Sequence, residues 1–186
     1  QYQIPVSRLL PYATLLVPFS YFFLKNNGKP PNSLQKKPLA QYFWWASLSR
    51  RFSSAVESKI AQDLKRIDKI LKDKPPIYKE DEQLQLTLDG LINRTFSAGD
   101  AFCKAVLSLL SYHQPKSFSD NSLVRIDNSW LKVAFSKNYH HFFPKAYLRK
   151  EGFYDYEINS IVNITIVDDY LNKREIGAKS PSTYME

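Results

Sequence analysis

Two of the three histidines in the chain are adjacent, and this pair is where the sequence offers chemistry most directly. His140 and His141 lie in the segment NYHHFFPKAYLRK, Asn163 follows 22 residues after His141, and Asn172 follows 9 residues after that. An imidazole exchanges protons near neutral pH. Imidazole, carboxamide and acidic groups thus converge on about 45 residues, which are too few to bury much core of their own. This combination suggests a functional site.

The elements that position these residues are predicted to be two strands and a helix. His140 and His141 lie at or near one strand, and the β-branched run SIVNITIVDD predicts a second strand that carries Asn163. The segment DDYLNKREIG, acidic near its start and ending in glycine, predicts a helix that carries Asn172. Adjacent strand residues point to opposite faces, so both histidines can serve one site only if the strand bends or ends there. Pro144 favours an early end.

The first two thirds of the chain are predicted to be helical. Two apolar stripes recur at helical spacing, and Ser54 with Glu57 predicts a capping box between them. A short helix is expected around Leu84 to Ile92, and a longer one from Gly99 to Tyr112. The stripes consist of Leu39, Phe43, Leu48 and Phe52, followed by Val56, Ile60, Leu64, Ile67 and Leu71.

The most apolar run, Leu9 to Lys25, raises the question of a membrane span. It is shorter than the roughly 20 apolar residues that a span requires, and Pro11 and Pro18 interrupt it. We therefore predict a buried core helix there and no membrane partner.

Composition and charge limit the functional class. A chain of 186 residues that is 44% hydrophobic is globular and can bury one core or a core with a small satellite. Its net charge of +8 favours an anionic partner such as nucleic acid or an acidic membrane surface. The single cysteine, Cys103, is predicted to be a buried apolar residue, and a chain without internal disulfides suits the cytoplasm. Because it starts at Gln1 and has only Met185, we expect a fragment of a longer protein.

The segments HHFFP, NITIVD and LNKREIGAKSPSTY together resemble the HNH nuclease superfamily, whose ββα-metal unit carries His or Asp, then His, Asn, and His or Asn. The lead-in, with LLVPFSYFF and QYFWWASLSRRFSSAVESKIAQDLKRI, further resembles the C-terminal half of restriction proteins that join a ParB-like NTP-using domain to an HNH nuclease domain. That group includes type IV restriction enzymes, which cut modified foreign DNA. The resemblance covers nearly the whole chain, but only the last third carries the motif residues.

This resemblance implies an α+β fold in which a mainly α-helical subdomain, residues 1–115, precedes an HNH-like ββα-metal unit, residues 116–186. It implies that His141 is the general base, that His140 and Asn172 are metal ligands, and that Asn163 holds the first strand and its loop. The chemistry is hydrolysis of a phosphodiester bond with one divalent metal, Mg²⁺ or Mn²⁺.

Several neighbouring residues have open roles. Asp168 or Asp169 could add a carboxylate ligand to the metal. Among the basic residues that flank the motif, Lys145 and Arg174 are favoured as contacts to DNA phosphates. Residues outside the motif are interpreted structurally: Lys65, Arg66 and Lys69 as a solvated helix face, Trp44 and Trp45 as core, and His113 as a helix cap.

Three classes of function stay open. The first is a metal-dependent DNA endonuclease in restriction or phage defence, with DNA and an absent N-terminal ParB-like NTP-using domain as partners. The second is a non-cleaving DNA-binding or regulatory module that retains the HNH shape. The third is a helical module that binds a partner or a membrane surface, in which the histidines form an ordinary half-buried strand end. The oligomeric state does not follow from the sequence.

Overall fold

The computed structural model of the chain describes residues 4, 7–124, 126, 139–167 and 176–185, and for Asp81 it describes the backbone. Helices and a two-stranded sheet make this an α+β protein, as predicted. The chain divides into two compact units, each of which is described here by itself. The helical unit is Pro11–Gln85, and the mixed unit combines Gln1–Leu10 with Leu86–Glu186. The expected boundary after residue 115 separates the helical part from the part that carries the motif residues, and it stays a prediction.

The helical unit contains helices α1 (Leu16–Lys25), α2 (Ser33–Leu48) and α3 (Val56–Leu71), with short 3-10 helices at Ala13–Leu15 and Glu80–Glu82. Helix α3 packs against both α1 and α2. The apolar stripes place their central residues in the core, as the helical spacing predicts. The largest fully or almost fully buried side chains here are Leu15, Phe22, Leu39, Tyr42, Phe43, Ile67 and Ile70.

Helix α1 has only 10 residues, and one face of it is buried through Pro18 and Phe22. Its other face leaves Leu16 and Leu24 exposed, so the predicted core helix is buried on one side only. Within the described residues, no helix combines the length and the apolar character needed to cross a membrane.

Helices α2 and α3 begin in different ways. Asn32 caps α2, accepting hydrogen bonds from the Leu34 and Gln35 N–H groups at 2.8 and 3.0 Å, while the Gln35 side chain accepts from Asn32 N–H at 3.1 Å. The predicted capping box of Ser54 and Glu57 is wrong. Helix α3 starts after Ala55, whose φ of 50° is left-handed, and no side chain caps it. That backbone turn makes Ala55 the capping position in place of Ser54.

A buried charge network lies at the centre of the helical unit. The Asp63 carboxylate is fully buried and accepts hydrogen bonds from Arg51, Arg66 and the Tyr42 hydroxyl. Glu82 accepts from both arginines, and its backbone carbonyl accepts from the Trp45 indole at 2.7 Å. Every buried charge in this network therefore has a partner of opposite sign.

This network corrects the interpretation of Lys65, Arg66 and Lys69 as a solvated helix face. Lys65 is exposed, but Arg66 is only 8% exposed. Its guanidinium lies 4.8 Å from the ring centroid of Trp45 and forms ion pairs with Asp63 and Glu82. A guanidinium can be buried in this way because two carboxylates and an aromatic face replace its water contacts.

The mixed unit contains helices α4 (Leu88–Ile92), α5 (Ala101–Tyr112), α6 (Lys145–Lys150), α7 (Asp155–Ile158) and α8 (Pro181–Tyr184), with strands β1 (Tyr139–His141) and β2 (Ile164–Ile166). The strands pair antiparallel, with His140 opposite Thr165 and His141 opposite Ile164. Helix α5 packs against β2, and the Ser108 hydroxyl donates to the Leu9 carbonyl at 3.0 Å. The core consists of Leu9, Leu107, Val124, Ile164 and Ile166.

Helix α5 agrees with the prediction for that segment. Asp100 caps its start by accepting from Cys103 N–H at 3.1 Å, and His113 is the residue at its C-terminal cap. Cys103 is buried, as expected for a small apolar residue. The predicted helix that carries Asn172 lies outside the described residues.

Candidate functional site

The two adjacent histidines lie at the end of strand β1. The strand stops at His141, in agreement with the expectation of an early end before Pro144. Both side chains are half-buried, and their ring centroids are 6.3 Å apart with the rings nearly perpendicular. The strand end therefore brings the two imidazoles close together, although adjacent residues in a regular strand point apart.

His140 contacts the backbone through one ring nitrogen. Its Nδ1 lies 2.8 Å from the carbonyl oxygen of His141, within hydrogen-bonding distance. In metal-binding histidines, one ring nitrogen commonly donates to a carbonyl, and this contact sets the orientation of the nitrogen that binds the metal. The observed contact leaves Nε2 of His140 as the nitrogen suited to a ligand.

His141 is held in its neutral form. Burial lowers its pKa to about 4, and the positive charges of Lys145 and His140 act in the same direction, while the Asn159 side chain opposes them. Its Nε2 atom is buried and has no hydrogen-bond partner with acceptable geometry among the described residues. The sequence predicted an ordinary pKa near 6.5 for this imidazole, so its environment makes it a weaker base than expected.

Asn163 fastens the loop that follows β1. The prediction placed Asn163 on the second strand, but it is the last residue of the 3-10 helix Ile161–Asn163, immediately before β2. Its side chain accepts from Phe143 N–H at 2.8 Å and donates to the carbonyls of Phe143 and Ile158, both at 3.0 Å. Its carbonyl accepts from Phe142 N–H at 2.7 Å. The β-branched run predicted a strand through this turn. The turn is accompanied by three hydrogen bonds of the Asn163 side chain to backbone groups elsewhere in the chain, which strand propensity does not reveal.

Lys145 places a positive charge beside His141. It is exposed at the first residue of α6, and its ammonium has no acidic partner among the described residues. Arg149, four residues later, pairs with Asp155 at 3.1 Å. Of these two basic residues on α6, Lys145 is the one without an acidic partner among the described residues, and it is the one predicted to contact phosphate.

The structure covers only part of the predicted site. Asn172, Arg174, Asp168 and Asp169 lie outside the described residues. Among the residues that are described, no group of three or more His, Cys, Asp or Glu side chains could hold a metal ion. The orientation of His140 and the unpartnered buried Nε2 of His141 both fit a group that would bind to imidazole nitrogens. The described residues thus include one imidazole nitrogen oriented like a metal ligand, and Asn172 as a second ligand stays a prediction.

Tyr184 is a contact that the sequence did not predict. Its hydroxyl, at the end of α8, donates to the Phe142 carbonyl, next to the peptide that Asn163 holds. The ring packs with Val167 and Ile176 against Phe118. No periodic signal marks such a residue, because α8 spans only four residues.

Comparison with known proteins gives a distant relative. The chain is 28% identical over 180 residues to an uncharacterized protein of Methanocaldococcus jannaschii, and the alignment covers 95% of this chain. It covers 28% of that protein, so the chain spans little more than a quarter of its relative's length. No family model and no solved structure matches the chain. The site must therefore be interpreted from its own chemistry.

Proposed function

We propose that the chain is an HNH-type, divalent-metal-dependent DNA endonuclease that acts in restriction of foreign or modified DNA. The observation that carries the proposal is the strand end at which His140, His141 and Lys145 meet while Asn163 fastens the following loop. A base, a metal-binding nitrogen and an unpaired cation are the groups that phosphodiester hydrolysis requires. The net charge of +8 is consistent with DNA as the partner.

His141 accepts a proton from the attacking water in this proposal. Its lowered pKa keeps the imidazole neutral at cellular pH, so one ring nitrogen is unprotonated and able to accept a proton. A phosphate group bound beside Lys145 would offset the lysine charge and raise the pKa of His141 toward a value better suited to a base. Substrate binding would thus strengthen the base where the water is held.

His140 and Asn172 would hold Mg²⁺ or Mn²⁺, which stabilises negative charge on the phosphate and the leaving oxygen when it is bound. Asn163 acts through the backbone. By hydrogen bonding to both the N–H and the carbonyl of Phe143, it fixes the loop that joins the His141 end of β1 to the start of α6. Lys145 and Arg174 would contact phosphates on either side of the scissile bond. In this proposal Asn163 is a positioning residue.

In the cell, the proposal places the chain beside a ParB-like NTP-using domain of the same protein in the cytoplasm. The second candidate is a DNA-binding or regulatory module that does not cut. The low pKa of His141 favours this alternative, because an imidazole with a low pKa is a weak base.

The test is cleavage of supercoiled plasmid by the 186-residue chain with Mg²⁺, Mn²⁺ or EDTA. We expect cleavage with metal only, and a loss of roughly a hundredfold or more in His141→Ala with an unchanged circular dichroism spectrum. His113→Ala, which removes a histidine at the cap of α5, is the matched control and should cut normally.

Metal titration separates the ligands from the base. His140→Ala and Asn172→Ala should need more Mg²⁺ or Mn²⁺ and recover in part at high metal concentration, whereas His141→Ala should not recover. Folded His141→Ala that cuts like wild type would refute the assigned base. A wild-type chain that binds DNA but never cuts would support the non-cleaving module instead.

A further inference from the structure

An aromatic cavity lies next to the loop that Asn163 fastens. It has a volume of about 550 Å³ and lies between the β1–α6 loop, α6, and the segment that leads through α7 to β2. Several of its lining rings are exposed to solvent to an unusual degree for aromatics, among them Phe143, Phe153 and Tyr156, at 41–57%. The aromatic rings in its wall are Phe142, Phe143, Tyr147, Phe153 and Tyr156.

We propose that this aromatic cavity binds an unstacked nucleobase of the DNA strand that is cut. The proposal rests on the nuclease function above and adds that the substrate is single-stranded or locally unpaired at the cleavage site. Bases stack on aromatic side chains whatever their sequence, since every base has a π-face. The volume falls within the range of about 300–1,000 Å³ for small-molecule sites, which is enough for a nucleoside.

The position of the cavity matches the geometry of a nucleotide. Phe142 and Phe143 follow His141 directly, so the Cα atoms of His141 and Phe143 are at most about 7 Å apart. Asn163 lines the cavity and also bonds both sides of the Phe143 backbone. A base is one sugar away from its phosphate, and a phosphate held by His141 and Lys145 therefore brings the attached base to the mouth of the cavity.

The cavity presents stacking surfaces and a hydrogen-bond acceptor. The rings of Phe143 and Tyr147 are nearly parallel, at 23°, with centroids 6.5 Å apart, so their faces share one orientation. The Glu151 carboxylate also lines the cavity and has no hydrogen-bond or ion-pair partner among the described residues. A carboxylate accepts hydrogen bonds from the exocyclic amino group of cytosine, whereas the one donor of thymine, its N3–H, lies between two carbonyl oxygens that repel a carboxylate. The cavity therefore favours cytosine over thymine and disfavours an anionic or purely apolar ligand.

The experiment measures binding of fluorescently labelled oligo-dC, oligo-dT and a hairpin duplex in EDTA, so that no cleavage is required. We expect tighter binding of oligo-dC than of oligo-dT. Tyr147→Ala and Tyr156→Ala should each weaken single-strand binding by roughly tenfold while duplex binding stays unchanged. Tyr147→Phe should bind like wild type because it keeps the stacking face. Glu151→Gln should reduce the preference for oligo-dC.

Tyr112→Ala is the matched control, because Tyr112 is an exposed tyrosine on α5 that does not line the cavity. Equal binding by wild type and folded Tyr156→Ala, or an equal loss in Tyr112→Ala, would overturn the proposal. A chain that never cuts DNA but loses oligo-dC binding in Tyr156→Ala would support the cavity and refute the nuclease. A chain that cuts DNA but binds oligo-dC equally in all variants would refute the cavity alone.

Discussion

Buried charges in the helical unit are matched by partners, whereas the polar groups beside β1 in the mixed unit are only partly matched. Asp63 is fully buried and meets two guanidinium groups and a hydroxyl. His141 is half-buried with an unpartnered Nε2, and Lys145 has no carboxylate partner among the described residues. In a saturated network, whose charges all have partners, loss of one partner leaves a buried charge uncompensated, and no group is left over for a ligand. An unsaturated one costs stability and is retained where a ligand completes it.

The largest expected effect is on the saturated network. Asp63→Ala should lower the free energy of unfolding by about 3–5 kcal/mol, because the buried guanidiniums of Arg51 and Arg66 would then share one carboxylate, that of Glu82, in place of two. Urea denaturation followed by circular dichroism measures it. The control is Asp68→Ala on the same helix. Its carboxylate accepts a hydrogen bond from the Tyr21 hydroxyl and has no ion-pair partner within the described part of the chain, so the loss should be much smaller. Equal losses would remove the distinction between the two kinds of polar group.

Asn163→Ala tests a residue of the mixed-unit site whose side-chain oxygen and nitrogen are both hydrogen-bonded. Three polar backbone groups, on Phe143 and Ile158, lose their partner, so the free energy of unfolding should fall by about 1–3 kcal/mol. Asn163→Asp keeps the acceptor but turns a carboxylate oxygen toward two carbonyls, and it should be no better. If both variants unfold like wild type while cleavage is lost, Asn163 acts on the reaction directly and not as a positioning residue.

Replacing Lys145 and Arg174 together tests the unmatched charge of Lys145 along with the other predicted phosphate contact. DNA affinity should fall by the same factor for all sequences. The slope of log affinity against log salt concentration should become shallower by the contribution of roughly two phosphate contacts. The control must avoid the buried network: Lys65→Ala with Lys69→Ala suits it, whereas a variant that includes Arg66 would break the ion pairs with Asp63 and Glu82. A larger change of slope in the control would place the DNA elsewhere on the chain.

The smallest expected effect is the acid sensitivity of Glu82. Burial raises its pKa, but hydrogen bonds from Arg66 and Lys79 N–H and the charges of both arginines outweigh burial and lower it. A lowered folded pKa contributes stability that is present above the unfolded value of about 4.3 and is lost as the pH falls through the folded value. Glu82→Gln should therefore differ most from wild type at neutral pH and converge with it in acid. Glu80→Gln, which removes an exposed charge, controls for net charge.

The helices were predictable because their apolar spacing is a local signal. The stripe through Ile67 and the run before Tyr112 predicted α3 and α5 within a few residues. The strand end at His141 agrees with the expectation from Pro144, which has no N–H to donate to a neighbouring strand. The cap at Ala55 and the turn at Asn163 were missed, because a left-handed residue and a side-chain contact to a distant loop leave no periodic trace.

The sequence alone determined which residue types were available: two adjacent imidazoles, the asparagines, a basic surplus and the helical stripes. Local chemistry is enough for these, since propensity, periodicity and charge belong to single residues and their neighbours. The tertiary structure decided which of the charged groups are paired. Arg66 is buried because its partner Glu82 lies 16 residues away in the chain and is brought beside it by the fold. Lys145 lowers the pKa of His141 because strand β1 ends just before it.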